Sequence, residues 1–273
     1  MNNDHKPFFP KSILGQNFLI DNNIVEKIVK TAEINDSDII LEIGPGKGIL
    51  TRRLASSKCK KLYSVELDQR LKPFLDKLDR LYPKLQLIWS DAVKFDYSTM
   101  VEDPPNKLIA NLPYNITTPL IWALLEKLVP YGLNTFIIMV QKESALRICA
   151  PAGTKARYPL GIVIQAMGTA RRIMKVSPES FRPVPGVDSV VLKIDLFRNL
   201  GLASDPEWKR LIKSGFGQRR KTLAKNLLLS GYCMEKGIID EILENSGLSH
   251  SVRAEELQYD EWLYIYREIM QYR

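Results

Sequence analysis

Histidine is almost missing from this chain: among 273 residues there are two, His5 and His250. A histidine-ligated metal centre or a histidine general base is disfavoured on that ground alone. Whatever chemistry the chain performs must run on carboxylates, amides, aromatic rings and backbone groups. Cysteine is nearly as scarce. Cys59, Cys149 and Cys233 stand far apart, which offers neither a disulfide framework nor zinc-ligand spacing and suits small buried thiols in a reducing cytoplasm. No uninterrupted apolar run approaches the length needed to span a bilayer, and residues 1–7 carry no hydrophobic core of a secretion signal. Internal repeats and low-complexity tracts are lacking too. The expectation is a cytoplasmic protein with no membrane segment and no metal.

Hydrophobic residues make up 45% and charged residues 26%, enough for a sizeable core of one large domain, or of one ordinary domain plus a smaller one. The net charge of +8 is unevenly spread. Residues 198–225 hold eight basic and two acidic side chains, a net of +6, whereas residues 226–273 hold four basic and nine acidic, a net of −5. A dense basic stretch beside an acidic tail reads as a localised face for a polyanion.

The chain is organised around Leu41-Glu42-Ile43-Gly44-Pro45-Gly46-Lys47-Gly48. An apolar run enters this stretch and a helical pattern leaves it, as in the strand, glycine turn and helix from which open α/β sheets build ligand sites. A dinucleotide fingerprint needs Gly or Ala where Ile49 stands, and a P-loop needs Ser or Thr where Gly48 follows Lys47. Both phosphate readings lose ground. What remains is Glu42, a glycine turn and a second acid, Glu66, at the end of the next apolar segment. An ionised carboxylate there suits a pair of ribose hydroxyls. Several acids around one pocket suit a cationic ligand, and S-adenosylmethionine, a sulfonium with a ribose, meets both conditions.

Residues 1–16 read as a basic arm with Lys6, Lys11, Phe8 and Phe9, followed by a helix capped by Asp21 or Asn22. Strand patterns follow at 39–43, 62–66, 85–89, 107–110 and 135–140. Helices are predicted at 69–81, 119–128 and 141–149. Strands alternating with helices imply a parallel sheet. Each strand end carries a polar residue (Glu42, Glu66, Asp91, Asn111, Gln141), and the carboxyl edge of such a sheet is where sites form. Two further strand-like runs, 161–167 and 187–196, flank the turn-rich Phe181-Arg182-Pro183-Val184-Pro185-Gly186. From Asp205 the pattern is helical. The reading is a domain over 1–200, including the arm 1–16, and a small helical domain over 201–273.

Asn111-Leu112-Pro113-Tyr114 at a strand end carries the sharpest chemistry. The exocyclic amine of adenine is a poor nucleophile because its lone pair is delocalised into the ring. The Asn111 side-chain oxygen and a backbone carbonyl near Leu112 or Pro113 can accept its two hydrogens and localise that pair. Pro113 stiffens the turn. Tyr114 offers a face for an extruded base, such stacking being worth about 1–3 kcal/mol, and Phe181 is a candidate second wall. The amine is neutral before it reacts, so no base is needed, in keeping with the scarcity of histidine. Arg219, Arg220 and Lys221, beside Phe216, are candidate phosphate contacts on A-form RNA.

These stretches together resemble the ribosomal RNA adenine dimethyltransferases of the small-subunit dimethyladenosine transferase family. The likeness runs through Gly15-Gln16-Asn17-Phe18-Leu19, the glycine turn, Val65-Glu66-Leu67-Asp68, Asp91-Ala92, Asn111-Leu112-Pro113-Tyr114-Asn115, Gln141-Lys142-Glu143, Phe181-Arg182-Pro183-Val184-Pro185 and Phe216-Gly217-Gln218-Arg219-Arg220-Lys221. The resemblance implies a Rossmann-like methyltransferase sheet with a small C-terminal helical domain. It implies S-adenosylmethionine contacts from Asn17, Leu19, Gly44, Glu66, Asp91 and Asn111, with Asp91 on the cofactor's adenine amine; Glu42, Gly46 and Ala92, at the same strand ends, complete the expected cofactor set. The resemblance gives the target base to Asn111 and Tyr114, with Leu112, Pro113 and Phe181 as the further candidates read from the residues. The implied product is N6,N6-dimethyladenosine at two adjacent adenines in the hairpin near the 3′ end of small-subunit rRNA; an immature small subunit is the expected partner and a monomer the expected state. Related large-subunit enzymes usually carry Ile in place of Leu112, and DNA adenine methyltransferases usually carry Pro. Pro159 departs from the family's usual Gly and stiffens its loop. A non-catalytic assembly factor, or transfer to large-subunit rRNA or DNA, are the alternatives.

Overall fold

The computed structural model describes residues 16–233 and 235–272. The predicted arm, with His5, Lys6, Phe8, Phe9 and Lys11, lies outside the described residues apart from Gln16. In chain order the elements are β1 (Phe18–Leu19), α1 (Asn22–Thr31), β2 (Ile39–Ile43), α2 (Ile49–Ala55), β3 (Lys61–Glu66), α3 (Lys72–Leu81), β4 (Leu85–Trp89), β5 (Lys107–Asn111), α4 (Thr117–Lys127) and β6 (Thr135–Gln141). Then come α5 (Lys142–Ile148), α6 (Pro159–Met167), β7 (Gly168–Val176), β8 (Phe181–Arg182), β9 (Ser189–Leu196), α7 (Pro206–Gly215), α8 (Leu223–Leu229), α9 (Lys236–Asn245) and α10 (Tyr259–Gln271).

Local chemistry accounts for the start. The Asp21 carboxylate accepts from the Asn23 N–H at 2.9 Å, which caps α1, and Ile24, Val25 and Ile28 fall on one buried face. β2 reads Ile-Ile-Leu-Glu-Ile and all five residues are buried, as a central parallel strand requires. The sheet runs β4-β3-β2-β5-β6-β9-β7, with β2 parallel to both β3 and β5, β3 to β4, and β5 to β6. Chain order therefore reverses between β2 and β5. That switch point opens a crevice at the carboxyl ends of the strands, where the glycine turn and Asn111 both sit. A separate pair joins β1 to β8, antiparallel, with Leu19 opposite Phe181 and Phe18 opposite Arg182.

The chain forms two compact units. The first holds the described residues of Met1–Lys142 with Arg172–Lys193, and the second Glu143–Arg171 with Ile194–Arg273. A single cut near residue 200 does not reproduce this, because α6 belongs with the C-terminal helices. α6 was expected as a strand over 161–167. Its run Pro-Leu-Gly-Ile-Val-Ile is apolar on all sides, and periodicity cannot separate a buried helix from a buried strand in so short a run. Pro159 decides it, sitting in the first turn where a missing N–H costs nothing. A β-carbon on Gly161 would stand 2.8 Å from the Arg147 carbonyl and 2.9 Å from that of Ile148, so the helix approaches α5 closely at that point. Within the second unit α6 packs on α7 and α10, Trp208 and Trp262 are fully buried, and Phe216 stacks on Trp262 with ring centroids 6.2 Å apart.

β7 escaped the sequence reading because its pattern is polar: Arg171, Arg172, Ile173 and Lys175 are exposed on what is the last strand of the sheet. Charge on an edge strand blocks pairing with a further strand. Among the described residues no helix is long and apolar enough to cross a membrane, and no cluster of three His, Cys, Asp or Glu side chains could hold a metal ion.

Candidate active site

A cavity of about 570 Å³ lies over the switch point, lined by the glycine turn, β1, the ends of β3 and β5, and Arg182. Gly46 has φ +59°, a left-handed conformation that glycine adopts without strain. A β-carbon there would also meet the Phe18 ring at 2.8 Å, so the aromatic ring of β1 packs directly on bare backbone. A β-carbon on Gly44 would touch the Pro113 ring at 3.3 Å.

Glu66 organises the turn. One carboxylate oxygen accepts from the Gly46 N–H at 3.2 Å, the other from the Asp68 N–H at 2.8 Å. Burial pushes its pKa up, against the pull of these N–H groups. Asp68 in turn is paired with Arg70 at 2.5 Å and accepts the Gln16 amide at 2.8 Å. The Arg70 guanidinium holds the Asp68 carboxyl down at about 2. The segment entering β1 is thereby tied to the loop that follows Glu66.

Glu42 lies beneath the turn, 1% exposed, with one oxygen accepting the Ser64 hydroxyl at 2.8 Å. Burial raises its pKa from 4.5 to about 7, opposed by the hydroxyls of Ser64 and Thr51 and assisted by the charge of Glu66. The folded chain therefore holds this proton more tightly than the unfolded chain, so Glu42 costs nothing below about pH 4.5, and its cost grows as pH rises through 7. At about 1.4 kcal/mol per tenfold change in proton affinity the full cost is on the order of 3 kcal/mol. Glu42→Gln, uncharged throughout, should gain stability over the unaltered chain between pH 5 and 8 in thermal melts. A constant difference across that range would refute the assignment.

Asn111 ends β5, and its side-chain N–H donates to the Asn17 carbonyl at 3.2 Å. A carbonyl can only accept, so the amide nitrogen must face Asn17 and Oδ1 is turned to the other side. The Leu112 N–H donates to the Met139 carbonyl at 3.1 Å, which pins the turn to β6. The Pro113 carbonyl accepts from the Ile116 N–H and the Thr117 hydroxyl, both at 3.2 Å, and is thus engaged in starting α4. Asp91 folds back on the Val93 N–H at 2.9 Å, and the Tyr97 hydroxyl donates to the Ala92 carbonyl at 2.8 Å.

The structure brings Asn17, Leu19, Glu42, Gly44, Gly46, Glu66, Asp91, Ala92, Asn111, Leu112, Pro113 and Tyr114 to the walls of this one cavity. Phe181 is not among them. It is fully buried in the core with Leu19, Ile28 and Val191, because successive residues of a strand face opposite ways and in β8 the cavity side belongs to Arg182. Gln141 likewise lies off the cavity wall, although it ends β6. Sequence reasoning passed over Phe18, Leu67 and Arg182, which line the cavity as well. The contact a β-carbon at Gly46 would make with Phe18 is a signal that only three dimensions supply. Arg219, Arg220 and Lys221 lie together in the second unit, in the loop between α7 and α8. Asn226 holds that loop, donating to the Gly215 carbonyl at 2.6 Å and the Gln218 carbonyl at 3.1 Å and accepting from the Gln218 N–H at 3.0 Å. The Arg219 guanidinium donates to the Lys155 carbonyl.

A sheet of this strand order, parallel from β4 through β6, with a glycine turn after one strand, a carboxylate ending the next and Asn-Leu-Pro-Tyr after β5, defines a Rossmann-like methyltransferase. The Glu66 carboxylate and the acid set on the cavity wall fit S-adenosylmethionine, offering acceptors for its ribose hydroxyls and adenine amine and negative charge for its sulfonium. The profile of ribosomal RNA adenine dimethylases matches residues 9–271, and the chain belongs to that family. Its activity is accordingly S-adenosylmethionine-dependent dimethylation of adenine in ribosomal RNA. It is 39% identical to the ribosomal RNA small subunit methyltransferase A of Alkaliphilus metalliredigens, over 96% of this chain and 92% of that one. It is 38% identical to the protein of the same name from Bacillus pumilus, over 92% and 88%. Among solved structures it is similar to a dimethyladenosine transferase from Plasmodium falciparum, with a TM-score of 0.79 and 27% identity over 93% of this chain and 97% of that one. The 23S rRNA methyltransferase ErmE shares the fold, with a TM-score of 0.70 at 23% identity over 93% and 100%.

Proposed function

We propose that this chain dimethylates N6 of two adjacent adenines in the 3′-terminal hairpin of small-subunit rRNA, acting in the cytoplasm as a monomer on an immature small subunit. The observation that carries the reading is the amide of Asn111. Its nitrogen is engaged by the Asn17 carbonyl, and its oxygen is left for a donor in the cavity. The Leu112 carbonyl is the second acceptor, since that of Pro113 is already engaged. Two acceptors on the two N–H bonds of the adenine amine draw its nitrogen towards a pyramidal shape and localise the lone pair. The Tyr114 ring supplies the stacking face. Catalysis is then positioning and electrostatic complementarity, without a general base.

S-adenosylmethionine, when bound, would supply an electrophilic methyl group on a sulfonium, whose sulfur keeps the electron pair of the broken bond; the amine nitrogen, cationic once methylated, gives up one proton to solvent after each transfer. Glu66 would accept hydrogen bonds from the ribose hydroxyls and Asp91 from the adenine amine, the turn at Gly44 and Gly46 would lie along the cofactor, and Asn17 and Leu19 would close the near side. Arg219, Arg220 and Lys221 meet RNA phosphates and dock the C-terminal unit by shape rather than sequence. The small-subunit assignment is supported by relatives at 38–39% identity whose names specify that subunit.

The test is transfer of labelled methyl groups to unmethylated small subunits, with large subunits and duplex DNA alongside, followed by nucleoside analysis. Dimethyladenosine from small subunits alone is the expected result. Label in large subunits or DNA would overturn the substrate, and cofactor binding without labelled product on any RNA would leave an assembly factor.

A further inference from the structure

Resting on the function just proposed, we infer that Ser189 is a positioning residue for the reaction, acting through the ring of Tyr114. The two hydroxyl oxygens stand 2.6 Å apart. Ser189 opens β9, is 0% exposed, and precedes Val190, Val191 and Leu192 in a strand that is otherwise apolar there. A hydroxyl buried in such surroundings needs a partner, and the phenol of Tyr114 is that partner. The serine is itself held from the backbone: the Lys142 N–H donates to the Asp188 carbonyl at 3.0 Å, and the Asp188 carboxylate pairs with Lys175 at 2.9 Å.

Tyr114 is therefore fixed at both ends. Its backbone follows Pro113 in a turn pinned to β6 by the Leu112 N–H, and its hydroxyl is fixed on β9. A ring tied only at its backbone can swing about two side-chain torsions, and each encounter with a base must then stop that motion. A ring tied at its far end as well already presents its face. Immobilising one such side chain costs enough to weaken binding about three- to tenfold.

The demand is greatest in the second transfer. N6-monomethyladenine has one N–H left, which has to reach an acceptor while the lone pair points at the methyl donor. The plane of the base must be set by the stacking face. A loosened Tyr114 should therefore let more of the monomethylated base leave unfinished.

The experiment compares Ser189→Ala, Tyr114→Phe and the double variant on unmethylated small subunits, reading kcat/KM, the share of N6-monomethyladenosine in the product, and S-adenosylmethionine affinity as a check of folding. Each single variant should lower kcat/KM about three- to tenfold, raise the monomethyl share and leave cofactor affinity unchanged. The double variant should be no worse than either single one, because both cut the same bond. A silent Ser189→Ala, or losses that multiply in the double variant, would overturn the role. If Ser189→Ala does not fold, Tyr114→Phe alone must raise the monomethyl share, and an unchanged share overturns the role equally. An unaltered chain that yields no dimethyladenosine overturns the proposed function itself, which a silent Ser189→Ala in an active enzyme does not.

Discussion

Replacing Asn111 with alanine should lower methyl transfer about 10²–10³-fold, the loss seen when one preorganised electrostatic contact is removed from a reacting centre. S-adenosylmethionine affinity should change by only a few-fold. The asymmetry follows from what the amide touches. Its nitrogen side holds the Asn17 carbonyl at 3.2 Å, a contact that steadies β1, and its oxygen side, turned away from Asn17, is the acceptor proposed for the substrate amine. Alanine deletes both, but only the second bears on the barrier. Asn111→Asp sharpens the point. It keeps an acceptor yet sets a carboxylate oxygen against the Asn17 carbonyl, two acceptors with no proton between them, so the side chain must turn and its geometry is lost. Turnover should fall nearly as far as with alanine. Single-turnover rates at saturating RNA, with cofactor affinity measured calorimetrically, check both variants. Normal turnover with either would remove Asn111 from the reaction.

How far such a site was legible beforehand depended on the kind of signal. β2 and β4 were placed to the residue, since an apolar run bounded by a glycine turn or by Ser90-Asp91 has few other readings. Glu66, Asp91 and Asn111 converge because each ends a parallel strand or opens the loop after it, and parallel strands in register put such residues at one edge. What stayed hidden were contacts between segments far apart in the chain. Asn17 to Asn111, Gln16 to Asp68 and Tyr114 to Ser189 span 94, 52 and 75 residues, and no local pattern announces them.

The errors have physical causes as well. Phe181 was read as an aromatic wall from its place in a motif. In a strand only two residues long, neighbouring Arg182 takes the cavity side and Phe181 the core. α6 was read as a strand because an apolar helix has no polar face to reveal its period. The boundary near residue 200 came from the linker-like run 198–204 and the helical pattern from Asp205, a reading along the chain that divides it in one place, whereas the two compact units interleave.

Glu66→Ala should weaken S-adenosylmethionine binding on the order of 10²–10⁴-fold. Two hydroxyl hydrogen bonds to a charged acceptor in a buried site are together worth about 3–6 kcal/mol net, and each 1.4 kcal/mol is about tenfold in affinity. Glu66→Gln should recover little. Both carboxylate oxygens already accept backbone N–H groups, from Gly46 at 3.2 Å and Asp68 at 2.8 Å. An amide must turn its own N–H₂ towards one of these donors, so either the glycine turn or the loop after Glu66 gives way. The charge itself has a further signature. Burial raises the pKa of Glu66 in the folded chain, and two hydroxyl donors favour the ionised form. Binding therefore expels a proton, and affinity should fall as pH drops through the raised pKa of the free protein, where protonated Glu66 must first ionise. Glu66→Gln should show no such fall. Affinity measured by calorimetry in buffers of different ionisation enthalpy reads the proton directly. If the unaltered chain binds S-adenosylmethionine without releasing one, and Glu66→Ala binds as tightly, the ribose hydroxyls are held by some other group on the cavity wall.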